Sequence, residues 1–580
     1  MSKILSGKIF VSKRIVSTLL ILVNVLLMVA SMPPVVINAS STADETVEDL
    51  SILIIGYDLP NTYGKMMTHL GSYWTGDTNE DGGVAEIVVY NKDNKKMYLV
   101  SGQTQTVDIV SLANLTTGEK QTYTVDKRIS IEEIGNVNGF SAGDITSVAI
   151  NTRIRVVGIC VQKGDYYTDA NENGYIIFLD YDGGYIAHYE AGCQPDMIGF
   201  SPDENYVMTA NEGERRNFGK GSVDPKGSVT IIDLREVDSH DNLKNLPNDK
   251  VTTVYFDDFD GKREELIENL VLLKVNTAPS VDLEPEYVAF SEDSKTAYVS
   301  LQEANAIATF DIPTKTFTSV KGLGFKDHSL PGNEIDIRRD GTIVITNEPI
   351  YGVYMPDGLS TVNIGGVQYV LTPNEGDSRS DWDGYDDINE GSTITGLGEI
   401  GSAEWLKNEE REILKDRPDD IFFLGARSFS IWKAEEMSLV YDSGSDFESI
   451  TAEVLPTVFN AHHRDNTMES RSPRKGPEPE DIKTMKIGSK VYAFISLERI
   501  GGVMMYDITT PTASIFVDYF NYRDPSKSLS DNVNDLGAEG ICVIEAQNSP
   551  TGYPMVLVAN EVSGTVTVLQ INERNVELSN

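Results

Sequence analysis

Short apolar runs rich in Val, Ile, Tyr and Phe recur along this chain between Gly, Asp and Asn turns. The clearest unit is EPEYVAFSEDSKTAYVSLQEANAIATFDI at 284–312: a short strand, an Asp/Ser turn, a second strand ending in a polar residue, and a third ending in Asp-Ile. The same order returns at 194–214 (closing at 227–234), at 477–508 and at 537–571. Weaker copies lie at 85–112, at 143–162 (closing with GYIIFLDYDG) and at 355–381 (closing at GARSFSIWKA). Strands bounded by such turns are all-β signals. A three-to-four-strand unit repeated many times predicts radial blades, because one blade cannot bury both faces and stacked neighbours can. The pattern predicts one all-β propeller of about seven blades. GNEIDIRRDGTIVITNEPIYGVY at 332–354 reads as a degenerate half-unit, which leaves room for an eighth. Two runs, 262–274 and 402–417, read as helical insertions between strands.

Alignment of the copies brings out a second regularity. Each blade opens with an acid before its first strand: Glu86, Asp144, Asp196, Glu286, Asp357, Glu480 and Glu539. Each second strand ends in a carboxylate or an amide: Gln103, Gln162, Glu212, Glu303, Glu375, Glu498 and Glu561. The two positions are one hairpin apart, so both are expected near one end of the blade, where the innermost strands of a propeller surround a channel. Carboxylates that share a confined mouth repel one another, and hard cations such as Ca²⁺ take oxygen ligands. The pairs from the third blade onward are therefore candidate metal ligands; Gln103 and Gln162 break the all-acid pattern in the first two. The alternative is a water-filled channel whose acids cap backbone amides.

Two loops match the opening of a calcium loop. One holds Asp77, Asn79 and Asp81; the other holds Asp169, Asn171 and Asn173, with Asp180 where the bidentate acid falls. Both are equally readable as ordinary turns. The Asp-rich stretch 380–390 reads as a solvated loop, with a lid as the sharper alternative. No G-x-S-x-G elbow, P-loop or H-E-x-x-H helix occurs, and His462-His463 reads as part of a polar surface loop. Cys160, Cys193 and Cys542 are too few for a disulfide framework. Buried thiols are expected, with a Cys160–Cys193 bridge as the alternative.

The first residues carry four positive charges, Lys3, Lys8, Lys13 and Arg14, then an apolar run from Ile15 to Ala30 and small residues at Ala39 and Ser40. That is a secretory leader, 1–39, ahead of a propeller over 40–580. An uncleaved anchor is the alternative; Pro33-Pro34 and the Ile-Asn-Ala ending favour cleavage. No second run long enough to span a membrane occurs, so a secreted or envelope-associated chain is expected. The formal charge of −41 becomes −45 without the four leader cations. So acidic a chain is a poor nucleic-acid binder, since phosphate contacts need clustered Lys and Arg.

ANEGE at 210–214, TPNEGDSRSD at 372–381, GARSFSIW at 425–432, KGPEPE at 475–480, LERIGGVMMYDIT at 497–509 and ANEVSGT at 559–565 together resemble the choice-of-anchor I family, over about 45–572. The resemblance implies an extracellular YVTN/WD40-like propeller held at surfaces by varying C-terminal anchors. The ending QINERNVELSN shows no sorting motif or hydrophobic tail, which argues against covalent attachment. Some members of the family are labelled atypical alkaline phosphatases. That label implies a phosphoesterase alternative in which Arg379, Arg427 or Arg499 grips phosphate; neighbouring acids are the competing partners for all three. The leading expectation is an extracellular, calcium-stabilised binding or adhesion propeller. A metal-dependent phosphoesterase with unassigned catalytic residues comes second, and a structural surface protein third. The ligand is not legible in the sequence.

Overall fold

The computed structural model describes residues 9–10, 49–50 and 66–572, except 165–172, 218–221, 381, 383 and 528–533. Residues 1–62 form a unit of their own, described only by the antiparallel pair of Ile9–Phe10 with Asp49–Leu50. Apart from the first of those strands, the leader expected over 1–39 lies outside the described residues.

From residue 63 onward the chain builds seven four-stranded antiparallel sheets. Six run in chain order, at 88–130, 142–193, 195–255, 288–322, 360–442 and 479–520. The seventh takes Ala538–Ile544, Met555–Asn560 and Thr565–Ile571 from the end of the chain and its outermost strand, Met67–Trp74, from the start. We number these blades 1 to 7. Alternate residues on a strand face opposite sides, and both sides here are covered. In blade 3, Val207 packs toward blade 2 and its neighbour Met208 toward blade 4. Six such cores join successive blades, and a seventh packs Leu557 and Val568 of blade 7 against Leu99 and Val110 of blade 1. The circle is therefore closed, and no blade keeps a bare apolar face.

The first strand of each blade is innermost. Adjacent blades touch near the axis through Thr146 Oγ1 to the Pro195 carbonyl (2.9 Å), Ser300 Oγ, on the second strand of blade 4, to that of Asp357 (2.7 Å), and Gly540 N to that of Glu86 (3.1 Å). The fourth strands are the least covered: Val125–Ser130 is largely exposed and Ile515–Phe520 half-buried.

The blade count is seven. The half-unit at 332–354 lies in an insertion outside the ring, where Tyr351–Val353 pairs with Phe325–Asp327 and Phe422–Leu424. Its Ile335, Ile337 and Ile350 pack with Ile394, Ile400 and Phe423 rather than between blades. The helix expected over 402–417 is instead the second arm of a hairpin, Gly398–Leu406 pairing with Ile388–Ile394, followed by a single 3-10 turn. Tertiary pairing overrides helix propensity there. The run at 262–274 is helical only over Arg263–Glu268. Leu270 takes a positive φ of 64°, and Val271, Leu272 and Leu273 are then all buried, which one face of a helix cannot achieve. Cys160, Cys193 and Cys542 form no disulfide, and the first two are buried. Among the described residues no helix is long and apolar enough to cross a membrane.

Candidate functional site: an acid-lined axial cavity

The opening acids owe their direction to irregular pairing. In blade 3, Pro195 pairs with Asn211 and Met197 with Ala210, so Asp196 is skipped by the ladder. Bulges at the same place release Asp144, Glu480 and Glu539. Such a bulge re-aims a side chain out of the sheet, here toward the axis for Asp196, Glu480 and Glu539. The closing acids are set by a buried amide that sequence reasoning missed. Asn211 and Asn560 end second strands and Asn374 directly follows one, each just before its acid, Glu212, Glu561 and Glu375. Asn211 Nδ2 donates to Ser228 and Thr230 hydroxyls at 3.2 and 3.1 Å, and Asn374 Nδ2 to Ser428 and Ser430 at 3.1 and 2.9 Å. Asn560 Nδ2 reaches Thr565 and Thr567 at 3.2 and 2.9 Å. The signal was available in the Asn-Glu pairs of the repeated motifs.

These acids meet in a cavity of about 380 Å³. Ten of the fourteen paired positions line it: Glu86, Asp196, Glu212, Glu286, Asp357, Glu375, Glu480, Glu498, Glu539 and Glu561. The other four stand back. Asp144 and Gln103 are exposed and Gln162 is half-buried, while Glu303 is buried beside Arg379. Asp377 is an eleventh lining carboxylate, against two cations, Lys475 and Arg499.

Burial followed by mutual repulsion pushes the carboxyls of Glu86, Glu212, Glu286, Glu480, Glu539 and Glu561 well above the usual range. Burial likewise lifts Asp196 to about 7, and Glu375 to about 8 despite Lys475. Glu498 is the exception: burial works against it, but the Arg499 charge holds it down to about 2. Lys475 Nζ lies 2.6 Å from Glu375 Oε1 and 3.1 Å from Glu478 Oε2, and Arg499 Nε lies 3.0 Å from the latter oxygen. The blade 5–6 side is thus partly neutralised by the protein itself. Even there, no donor among the described residues reaches Oε2 of Glu480, a residue 6% exposed. One oxygen each of Asp357, Glu375 and Glu480 lie within 4.8 Å of one another.

Of the three candidate arginines, Arg499 alone lines the cavity. Arg379 is fully buried between Glu284 (2.8 Å) and Asp282 (3.3 Å), with Trp382 against its face. Arg427 is buried on Glu448 and the carbonyls of Asp336, Ser472 and Arg474. Both guanidiniums are committed away from the axis, so neither is placed to grip a ligand there.

The stretch 380–390 is not a solvated loop. Asp387 is fully buried and paired with Arg411, and Trp382 is covered by Lys274 and Arg379. His463 is likewise no surface residue: it is 2% exposed, and its Nδ1 lies 3.4 Å from Glu498 Oε1. The segment 459–475 carries it, tied down by Arg464 on Asp81 (2.7 Å) and by Arg523 on the His462 carbonyl (2.7 Å).

Asp81 is held by that arginine, Asp77 stands 3.8 Å from Arg128, and the Asn79 amide donates to the Gly82 carbonyl. Asp169 and Asn171 lie outside the described residues. Asn173 donates to Glu190, and Asp180 caps a turn by accepting from Asp182 N and Gly184 N. Those two residues begin and end one strand, Asn173–Asp180, roughly 23 Å apart at 3.3 Å per residue. Asp180 therefore cannot complete a calcium loop that begins at Asp169.

Seven closed blades around a polar axial cavity define a β-propeller, an architecture suited to binding or scaffolding. The chain belongs to the choice-of-anchor I family, whose domain matches residues 86–511. It is similar to Gigasin-3a of Magallana gigas, 26% identical over 178 residues. That match takes in 29% of this chain and spans 63% of the relative's length. Among solved structures it is similar to Kuenenia stuttgartiensis hydrazine synthase (12% identity, TM-score 0.41, covering 86% of this chain and 99% of that one). It is also similar to the Neurospora crassa Pan2 WD40 domain (8%, 0.41, covering 88% and 96%).

Proposed function

We propose that this chain is a cation-dependent binding propeller of the cell exterior. A hard divalent ion, Ca²⁺ foremost, is held on the axis by Asp357, Glu375 and Glu480. The observation that carries this reading is the buried, donor-free Oε2 of Glu480, within a set of three carboxylates close enough to share one ion. Buried carboxylates are costly unless protonated or paired, and among the described residues ten of the paired acids line this cavity against two cations. Oxygen donors in that number suit Ca²⁺, which takes six to eight of them. Membership of a choice-of-anchor family and the acidic composition support display at a surface, where loops around the cavity would contact the ligand.

Calorimetric titration of the EDTA-stripped chain with Ca²⁺ tests the reading. Wild type is expected to bind, and Glu480→Gln to bind at least tenfold more weakly. A wild-type chain that takes up no Ca²⁺ sinks it.

A phosphoesterase is the second reading, favoured by the presence of Arg499 and Lys475 in the same cavity as the acids. A bound ion would polarise a phosphoryl oxygen while Arg499 oriented the group. Turnover of an aryl phosphate by the Ca²⁺-loaded chain, lost on Arg499→Gln, is its expected signature; no turnover leaves the binding role alone.

A further inference from the structure

Behind the cavity-lining Glu498 stands a nitrogen donor, His463. One ligand atom each of His463, Glu498 and Glu561 lie within 4.8 Å of one another. None of the three belongs to the Asp357–Glu375–Glu480 set, although the two sets adjoin: oxygens of Glu375, Glu478 and Glu498 also lie within 4.8 Å. The position already attracts positive charge, because Arg499 Nη1 lies 2.8 Å from His463 Nδ1 and 2.5 Å from Glu498 Oε1.

We propose that His463, Glu498 and Glu561 form a second metal position, for a borderline divalent transition ion of the Zn²⁺, Mn²⁺ or Co²⁺ kind. The reason is ligand type. Ca²⁺ and Mg²⁺ sites are built from oxygen, whereas an imidazole with carboxylates suits first-row transition ions. A ligating imidazole must be neutral. Burial draws the His463 ring below its ordinary value, against the pull of Glu498. Three protein donors would leave further coordination positions for water or a ligand. Glu561 is oriented by the backbone, its Oε2 accepting from Gly83 N at 3.1 Å. The Arg499 side chain is 18% exposed and keeps Glu478 as a partner at 3.0 Å, so it has somewhere to go when an ion arrives.

The experiment loads the metal-free full chain with Co²⁺ in excess Ca²⁺, which fills the all-oxygen position. One retained cobalt per chain is expected, with visible d–d absorption. His463→Gln should abolish those bands and loosen cobalt at least tenfold. Should His463→Gln fail to fold, as read by circular dichroism, Glu561→Gln carries the same expectation. Bands that survive both His463→Gln and Glu561→Gln, or a wild-type chain that retains no cobalt, overturn the proposal. Ca²⁺ titration of Glu480→Gln reports on the other position independently, so the two readings fail separately.

Discussion

In calcium-free buffer the chain is expected to lose stability as pH rises from 6.5 to 8.5, and a divalent cation to restore it. A carboxyl whose pKa is raised by folding favours the native state below its unfolded value, near 4. That contribution is lost as pH climbs through the folded value. The folded values of Asp196 and Glu303 are about 7 and that of Glu375 about 8, all through burial first. The window is chosen by other groups. The buried or half-buried histidines His69, His188, His328, His462 and His463 all have lowered values, so they oppose the carboxyl trend until the unfolded chain's histidines are neutral, above about 6.5. Above about 8.5 the raised thiols of Cys160 and Cys542 begin to add their own loss. Every tenfold gain in a carboxyl's proton affinity on folding is worth about 1.4 kcal/mol, so several axial acids acting together should lower the melting temperature by many degrees. Saturating Ca²⁺ should flatten or reverse the slope, because metal ligation favours the deprotonated acids. Melting curves across this window in EDTA and in Ca²⁺ decide it; an EDTA series that climbs with pH contradicts the cavity electrostatics.

Replacing Arg379 by Met should cost about 3–5 kcal/mol. Its guanidinium is fully buried and is the charge partner of Asp282 and Glu284, themselves 0% and 1% exposed. Glu303, whose carboxyl feels the same charge, would also be left uncompensated. Removing one partner of a buried ion network is far more damaging than removing both, because the survivor keeps its desolvation cost. The double variant Arg379→Met, Glu284→Gln should therefore recover part of the loss. Urea midpoints of the single and double variants measure this, and a single-variant loss below about 1 kcal/mol would contradict it. The role is structural: Arg379 fastens the 374–387 segment to the entrance of blade 4, next to the closing acid Glu375.

The ring was legible because its inner three strands repeat. Val, Ile and Tyr alternate there under strict two-sided burial, and turn residues punctuate them. The outer strands were not legible. Val125–Ser130 is mostly exposed and shows no apolar face, Ile515–Phe520 is nearly all apolar without alternation, and the outer strand of blade 7 comes from the opposite end of the chain. The paired acids were legible as a spacing. Lys475 and His463 were not, because they sit in an insertion whose course is set by partners far away in sequence, Arg464 on Asp81 and Arg523 on His462. The apparent half-blade at 332–354 shows the converse. Its alternation is real, but Ile335 and Ile350 spend it on a small core with Ile394 and Ile400. Periodicity reports that a face is buried, not against what.

The closure of blade 7 also bears on how the ring behaves under load. Met67 pairs with Ile571 and Trp74 with Thr565, so the incoming and outgoing chains leave the seam at the same end. Tension applied through those two chains would peel the pair one hydrogen bond at a time instead of shearing all of them together. A propeller pulled in this way opens at its seam first and gently, with the other six blades still stacked.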